Sequence, residues 1–282
     1  VSVGTPFFNR VNIPIGLGLL FLMAVAPALA WRRSDPGRLG RLLRWPALVA
    51  GAGGAALAAA GVREPWALLA FALAIFVVGT VVAEFYRGAR VRQGAVGGSL
   101  GRALRAISWM NRRRYGGLVV HVGVALVAVG LTASGTYKLE KERTLKVGES
   151  LTLGDYRVRF DRLDAVQNPT HVKVFGTFSL YRGERFLRTL QPGQRFYPNQ
   201  QRPFASVDAR YTPLEDFYLI LGAFERDGSS VTVKALISPL IAWMWFGGIV
   251  VALGTLWAVW PEERRSEVRV PAPASAGHTA RA

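Results

Sequence analysis

Five stretches of this 282-residue chain are apolar for long enough to cross a bilayer, and that limits everything else it can fold into. A hydrocarbon core about 30 Å thick asks for about 20 apolar residues in a helix. Lipid offers no partner to an unpaired backbone group, so the crossing segments must be helical. Hydropathy puts them at 11–31, 45–61, 66–86, 118–135 and 239–260, the second being short and made largely of Ala and Gly. Between the fourth and fifth lie roughly 100 residues whose apolar positions recur at period two. The expected fold is a polytopic α-helical membrane protein of about five transmembrane helices with an inserted extracytoplasmic all-β domain. Its divisions are a membrane region over 1–136, a β-domain over 137–235, a final helix over 236–261 and a disordered cytoplasmic tail over 262–282.

Charge orients these spans. Lys and Arg number 35 against 18 Asp and Glu, a formal net charge of +17. Segment 32–44 holds five arginines and one aspartate, and segment 87–114 holds eight arginines and no acid. Loops of this kind stay on the cytoplasmic side. The link 62–65 carries one arginine and one glutamate and falls on the other side, as alternation requires. The N-terminus and the β-domain are then external and the tail after Pro261 internal. Positive-inside topology explains the arginines, so nucleic acid is not an expected partner and membrane lipid is.

The external segment reads as a sandwich or a small barrel, and the residues do not choose between them. Val158 with Phe160, Val172 with Val174, and Phe178 with Leu180 alternate in and out, and Arg182-Gly183 sits between two such runs as a hairpin turn. Further turn signals stand at 146–148, 154–155, 168–169, 192–193, 197–199 and 227–228. Segment 137–234 has 16 basic and 12 acidic residues, so its pull on an acidic partner is mild.

Cysteine is absent, which removes both disulfides and thiol chemistry. Residues 1–12 lack the charged and small-residue pattern of a signal peptide, and position 1 is Val. The chain is expected to be a fragment or the second half of a split protein. Segment 270–282, rich in Pro, Ala, Ser and Gly, reads as disordered.

One side chain inside the spans points to chemistry. His121 lies about six residues beyond Tyr115, roughly 9 Å along the fourth helix, and ionisable groups at such depth generally face a partner, a cavity or a cofactor. Gly117 sits one turn earlier on its face. Gly116, Gly123 and Gly130 recur every seven residues, and Gly130 pairs with Ser134 as small-xxx-small, so the helix can approach another helix, or a flat ligand, closely. Two uses stay open: ligation of haem or a metal by neutral imidazole, or helix packing with His121 bonded to a neighbouring carbonyl. His171, after Asn168-Pro169-Thr170, reads as a loop histidine, and His278 lies in the tail. Trp31, Trp45, Trp66, Trp243, Trp245, Trp257 and Trp260 fall near span ends, where indole anchors at the interface. Glu84 can reach the headgroup region and pair with Arg87.

These residues resemble a family. Segment 111–123, NRRRYGGLVVHVG, followed by an external β-domain and the closing PLIAWMWFGG of 239–248, resembles the C-terminal part of the CcmF/NrfE family of cytochrome c-type biogenesis proteins, the haem lyase subunit. The opening VSVGTPFFN is similar to the same family just after its second periplasmic histidine segment. The resemblance implies that His121 is one of two transmembrane axial ligands to a haem b shared with an upstream segment not in this chain. Arg112, Arg113 and Arg114 become candidates for the propionates, beside their role as topology anchors. It also implies a bacterial inner membrane location with the β-domain periplasmic, and covalent attachment of haem to apocytochrome c. The implied partners are the N-terminal half of the same protein or a separate chain, a haem chaperone, CcmH/CcmI-type maturation subunits and apocytochrome c. The family's tryptophan-rich haem segment, its two external histidines and its first transmembrane ligand have no counterpart here, so the chain holds no complete catalytic site. The alternative from another class is a haem-free membrane scaffold whose β-domain recruits assembly partners and whose His121 merely packs.

Overall fold

The computed structural model describes residues 5–29, 36–198, 200 and 202–261. His278, Trp31 and the tail lie outside them. Six helices are described: α1 (Thr5–Val25), α2 (Pro36–Ala59), α3 (Pro65–Val96), α4 (Leu100–Met110), α5 (Arg112–Thr136) and α6 (Ala242–Val259). All but α4 are long and apolar enough to cross a membrane, with α1 extended to Ala28 by one 3₁₀ turn.

The spans differ from the hydropathy windows at their arginine-rich ends. Helix α2 begins nine residues before Trp45, α3 runs ten residues past Tyr86, and α5 starts at Arg112 rather than Leu118. Arginine is a good helix former and its long stem lets the charge leave the bilayer while the backbone continues. Segment 87–114, expected as a loop, is therefore mostly helical. Gly97 and Gly98, both at positive φ, end α3. Ser99 then caps α4 by accepting a bond from the Arg102 amide. Helix α4 is amphipathic: Ala103 and Ile107 are buried against Tyr115 and Ala89, while Arg102 and Arg105 are exposed.

Ten strands build the β-domain: β1 (Leu139–Lys146), β2 (Ser150–Leu153), β3 (Tyr156–Gln167), β4 (Val172–Arg182), β5 (Arg185–Leu190), β6 (Gly193–Phe196), β7 (Phe204–Ser206), β8 (Asp208–Arg210), β9 (Glu215–Phe224) and β10 (Ser230–Pro239). They form two antiparallel sheets, one in the order β1-β10-β9-β8 and the other β2-β3-β4-β6-β7 with β5 also on β4. The fold is thus a sandwich and not a barrel. Alternate residues of both sheets interleave: Tyr156, Val158 and Phe160 of β3, Phe178 and Leu180 of β4, Phe217, Leu219 and Leu221 of β9, and Val231, Val233, Ala235 and Ile237 of β10. Gly183, at φ 57°, closes the β4–β5 hairpin where a side chain would be strained.

The boundary expected at 235 shifts to Pro239, and the last helix, expected over 236–261, spans Ala242–Val259. Strand β10 ends in apolar residues and runs straight into an apolar helix, so hydropathy sees no break. The break is geometric: Leu240 takes φ 53°, the one non-glycine residue at positive φ among those described. Its amide donates to the Leu214 carbonyl at 2.8 Å, and the Trp243 indole donates to the Pro213 carbonyl at 3.0 Å. Those bonds seat the sandwich on the head of α6.

Candidate functional site

The geometry of the site follows from how α5 is held on two of its sides. On one side it meets α6 backbone to backbone. A Cβ on Gly116 would lie 2.7 Å from the Ala258 nitrogen, one on Gly123 2.7 Å from the Val251 nitrogen, and one on Gly130 2.8 Å from the Met244 nitrogen. Helix α6 answers with Gly247 against Gly123 and Gly254 against Val120. The seven-residue glycine repeat is therefore spent on helix packing, the closest approach small residues allow in lipid. At 100° per residue this face lies on roughly the opposite side of α5 from His121. The suggestion that those three glycines clear room for a flat ligand is corrected accordingly.

On a second side α5 meets α3, and here the arginine end is pinned by a carboxylate. Glu84 is 8% exposed and accepts from Arg87 at 2.5 Å and from Arg114 at 2.8 Å. Its pairing with Arg87 is as the sequence suggests. The pairing with Arg114 spans 30 residues and has no local signal beyond a lone acid facing an arginine-rich segment. Nearby, Gly88 lies under the Tyr115 hydroxyl and Tyr115 packs on Phe85 at 4.7 Å, so the two helices fit closely at this level.

His121 projects from the remaining side. It is half-buried, and its Nδ1 is buried without a hydrogen-bond partner among the described residues. Gly117, one turn earlier, has no atom within 4 Å of where a Cβ would stand, and neither has Gly135 further along the same face. The bond to a neighbouring carbonyl that the packing alternative called for is not made among the described residues. A buried imidazole nitrogen left unpaired in a membrane helix costs on the order of 1–3 kcal/mol.

The three arginines have separate fates. Arg112 is buried under its own elbow, its guanidinium 5.2 Å from the Trp109 ring and its Nε unpartnered. Arg113 is exposed. Arg114 lies on the face of His121, two turns toward the arginine-rich end, with one terminal nitrogen on Glu84. His171 is not near this cluster in the fold. It sits in the β3–β4 loop, with Thr170 Oγ1 3.0 Å from its Nδ1, Asn168 Nδ2 3.4 Å from its Nε2, and Tyr197 against its ring. Trp66, Trp245 and Trp260 are mostly exposed near helix ends, in keeping with interfacial anchoring, while Trp45, also exposed, lies inside α2.

A haem would need an axial nitrogen, a flat approach and a second ligand. An unbonded imidazole beside the open face of Gly117 fits the first two. Among the described residues the other histidine, His171, has both nitrogens engaged in the sandwich, so this chain fits one ligand of a pair.

Residues 136–239 match the family model described as the CcmF C-terminal beta-sandwich. The chain is similar to the cytochrome c-type biogenesis protein CcmF of Pseudomonas aeruginosa, 31% identical over 279 residues that cover 96% of this chain and 39% of that protein. It is 30% identical over 277 residues to CcmF of Pseudomonas fluorescens, with 96% and 39% covered. Among solved structures it is similar to one titled cytochrome c heme lyase CcmF, with a TM-score of 0.69 and 30% identity, over 92% of this chain and 41% of that one. The chain spans about two-fifths of the length of the curated relatives it matches.

Proposed function

We propose, from its similarity to the C-terminal part of CcmF-type cytochrome c-type biogenesis proteins, that this chain supplies one transmembrane ligand, His121, to a haem b shared with an upstream segment. The single observation that carries this reading is the unpartnered, buried Nδ1 of His121 beside the open face at Gly117. When bound, such a haem supplies one-electron chemistry. His121 would hold the iron through neutral imidazole, its ring making no hydrogen bond to the described residues. Arg114, with a terminal nitrogen to spare, and the exposed Arg113 are the candidates for propionates, and Arg112, stacked on Trp109, contributes less.

The arginine-rich ends of the spans face the cytoplasm of a bacterial inner membrane, and the sandwich stands in the periplasm. There it docks the other maturation subunits, of haem-chaperone and CcmH/CcmI type, or the apocytochrome c to which haem is attached. A haem-free scaffold is the competing reading, and the use of the glycine repeat for packing α6 favours it.

Co-expression with the upstream half of a CcmF-type protein in a haem-making bacterium separates the two. The co-purified pair should give a reduced-minus-oxidised b-type spectrum, and His121→Ala should abolish it without lowering yield. No b-type signal in a co-purified, folded pair would leave the scaffold reading in front, and an unchanged spectrum in the variant would remove His121 as the ligand.

A further inference from the structure

Helices α2, α3 and α5 enclose an apolar slot of about 800 Å³ on a side of the bundle away from the α5–α6 seam. Val49, Ile75, Val78, Leu126 and Val129 line it, and its rim carries Arg41 and Arg87 beside Trp45 and Tyr86. From Ala74 to Arg87 is about 20 Å of helix at 1.5 Å per residue, close to the depth of one leaflet with its headgroup. The slot is shut at its inner end. Toward the β-domain, α2 and α3 close on each other, with Gly53 meeting Ile75 and Gly54 meeting the Ala72 methyl.

The rim is strongly basic. Arg44 stacks on Trp45 at 5.6 Å and Arg90 on Tyr86 at 5.7 Å, so each rim aromatic carries a further arginine. Of these arginines, Arg87 pairs with Glu84, whose other partner is Arg114. Arg41 makes no ion pair among the described residues. An apolar trench one leaflet deep, with unneutralised guanidinium at its mouth, has the chemistry of a phospholipid site: chain below, phosphate above. A further transmembrane helix fits it poorly. Such a helix runs through both leaflets, and this trench ends midway.

We propose that this slot holds an anionic phospholipid of the cytoplasmic leaflet, its acyl chain between α2 and α5 and its phosphate on Arg41 and Arg87. The inference rests on the membrane orientation and not on haem. The test is native mass spectrometry of the full chain reconstituted in nanodiscs of equimolar phosphatidylglycerol and phosphatidylcholine, then released and stripped of loose lipid. Wild type should retain phosphatidylglycerol in preference. Arg41→Gln should lower that preference about fivefold, the factor one interfacial arginine contributes. Val82→Trp fills the trench from a position 60% exposed, where bulk is tolerated, and should lower retention of both lipids. Equal retention of the two lipids by wild type overturns the proposal, and so does undiminished retention by Val82→Trp. A cross-link from Val82 to an upstream helix, in place of lipid, in the co-purified pair also overturns it.

Discussion

At the scale of single residues, His121 and Glu84 are two ionisable groups in the spans with opposite circumstances. Glu84 is fully partnered, and its job is to hold α3 and α5 together. Replacing it by Gln leaves two arginines without their carboxylate. Because the Arg114 side chain is 62% exposed, water screens part of that loss, and the expected cost is about 1–2 kcal/mol rather than the 3–5 of a fully buried pair. A lowered unfolding midpoint in mixed micelles checks it, and no shift would mean that the pair is idle. His121 has no such partner. Gly117→Leu, which fills the space beside the imidazole, should leave the midpoint unchanged yet remove any haem band from the co-purified pair. His121 was legible because histidine at that depth is costly, and Arg87–Glu84 because the two lie one turn apart. Arg114–Glu84 was not, since only the packing of two helices brings those residues within reach.

At the scale of elements, the seven-residue glycine spacing on α5 announced a close neighbour but could not name it. Identical glycines suit a helix or a flat ligand, and Gly247 and Gly254 on α6 decide it by facing the same seam. Gly123→Ala should therefore cost about 1–3 kcal/mol by overpacking, whereas Gly117→Ala, in open space, should cost nothing measurable. Equal effects would contradict the assignment of faces. The β4–β5 hairpin could be read from Arg182-Gly183, while the step from β10 to α6 could not, since both elements are apolar there.

The sandwich carries its own pH signature. Burial first, and then Asp216, pushes the Tyr218 phenol up to about 12, and burial with the bond to Glu215 raises Tyr156 above its usual value. The folded domain holds these protons more tightly than the unfolded chain. Their contribution is complete below about pH 10, the ordinary tyrosine value, and is lost as pH climbs toward about 12. The near-ultraviolet dichroism melt should fall over that interval, and Tyr218→Phe should flatten the fall. A melt independent of pH there would remove these tyrosines from the ledger of stability.

At the scale of the whole molecule, the proposed orientation of the spans and side of the sandwich rest on where the arginines stand. A chain without cysteine is well suited to checking this. In intact cells, an impermeant thiol reagent should label Phe186→Cys on the sandwich and leave Arg113→Cys untouched, and the reverse would invert the topology. The span count was legible from hydropathy, and the β-domain from period-two alternation. Amphipathic α4 was hidden because eight arginines in 28 residues read as a loop, when five of them are in fact the exposed side of helices. Among the described residues the other imidazole, His171, is engaged in the sandwich, so the central claim is tested in the pair. The direct measurement is the b-type spectrum of the co-purified halves carrying His121→Gly, recorded before and after adding imidazole. Ligation by His121 predicts that the band is lost in the variant and restored by imidazole filling the vacated space. A band that persists without imidazole would contradict it.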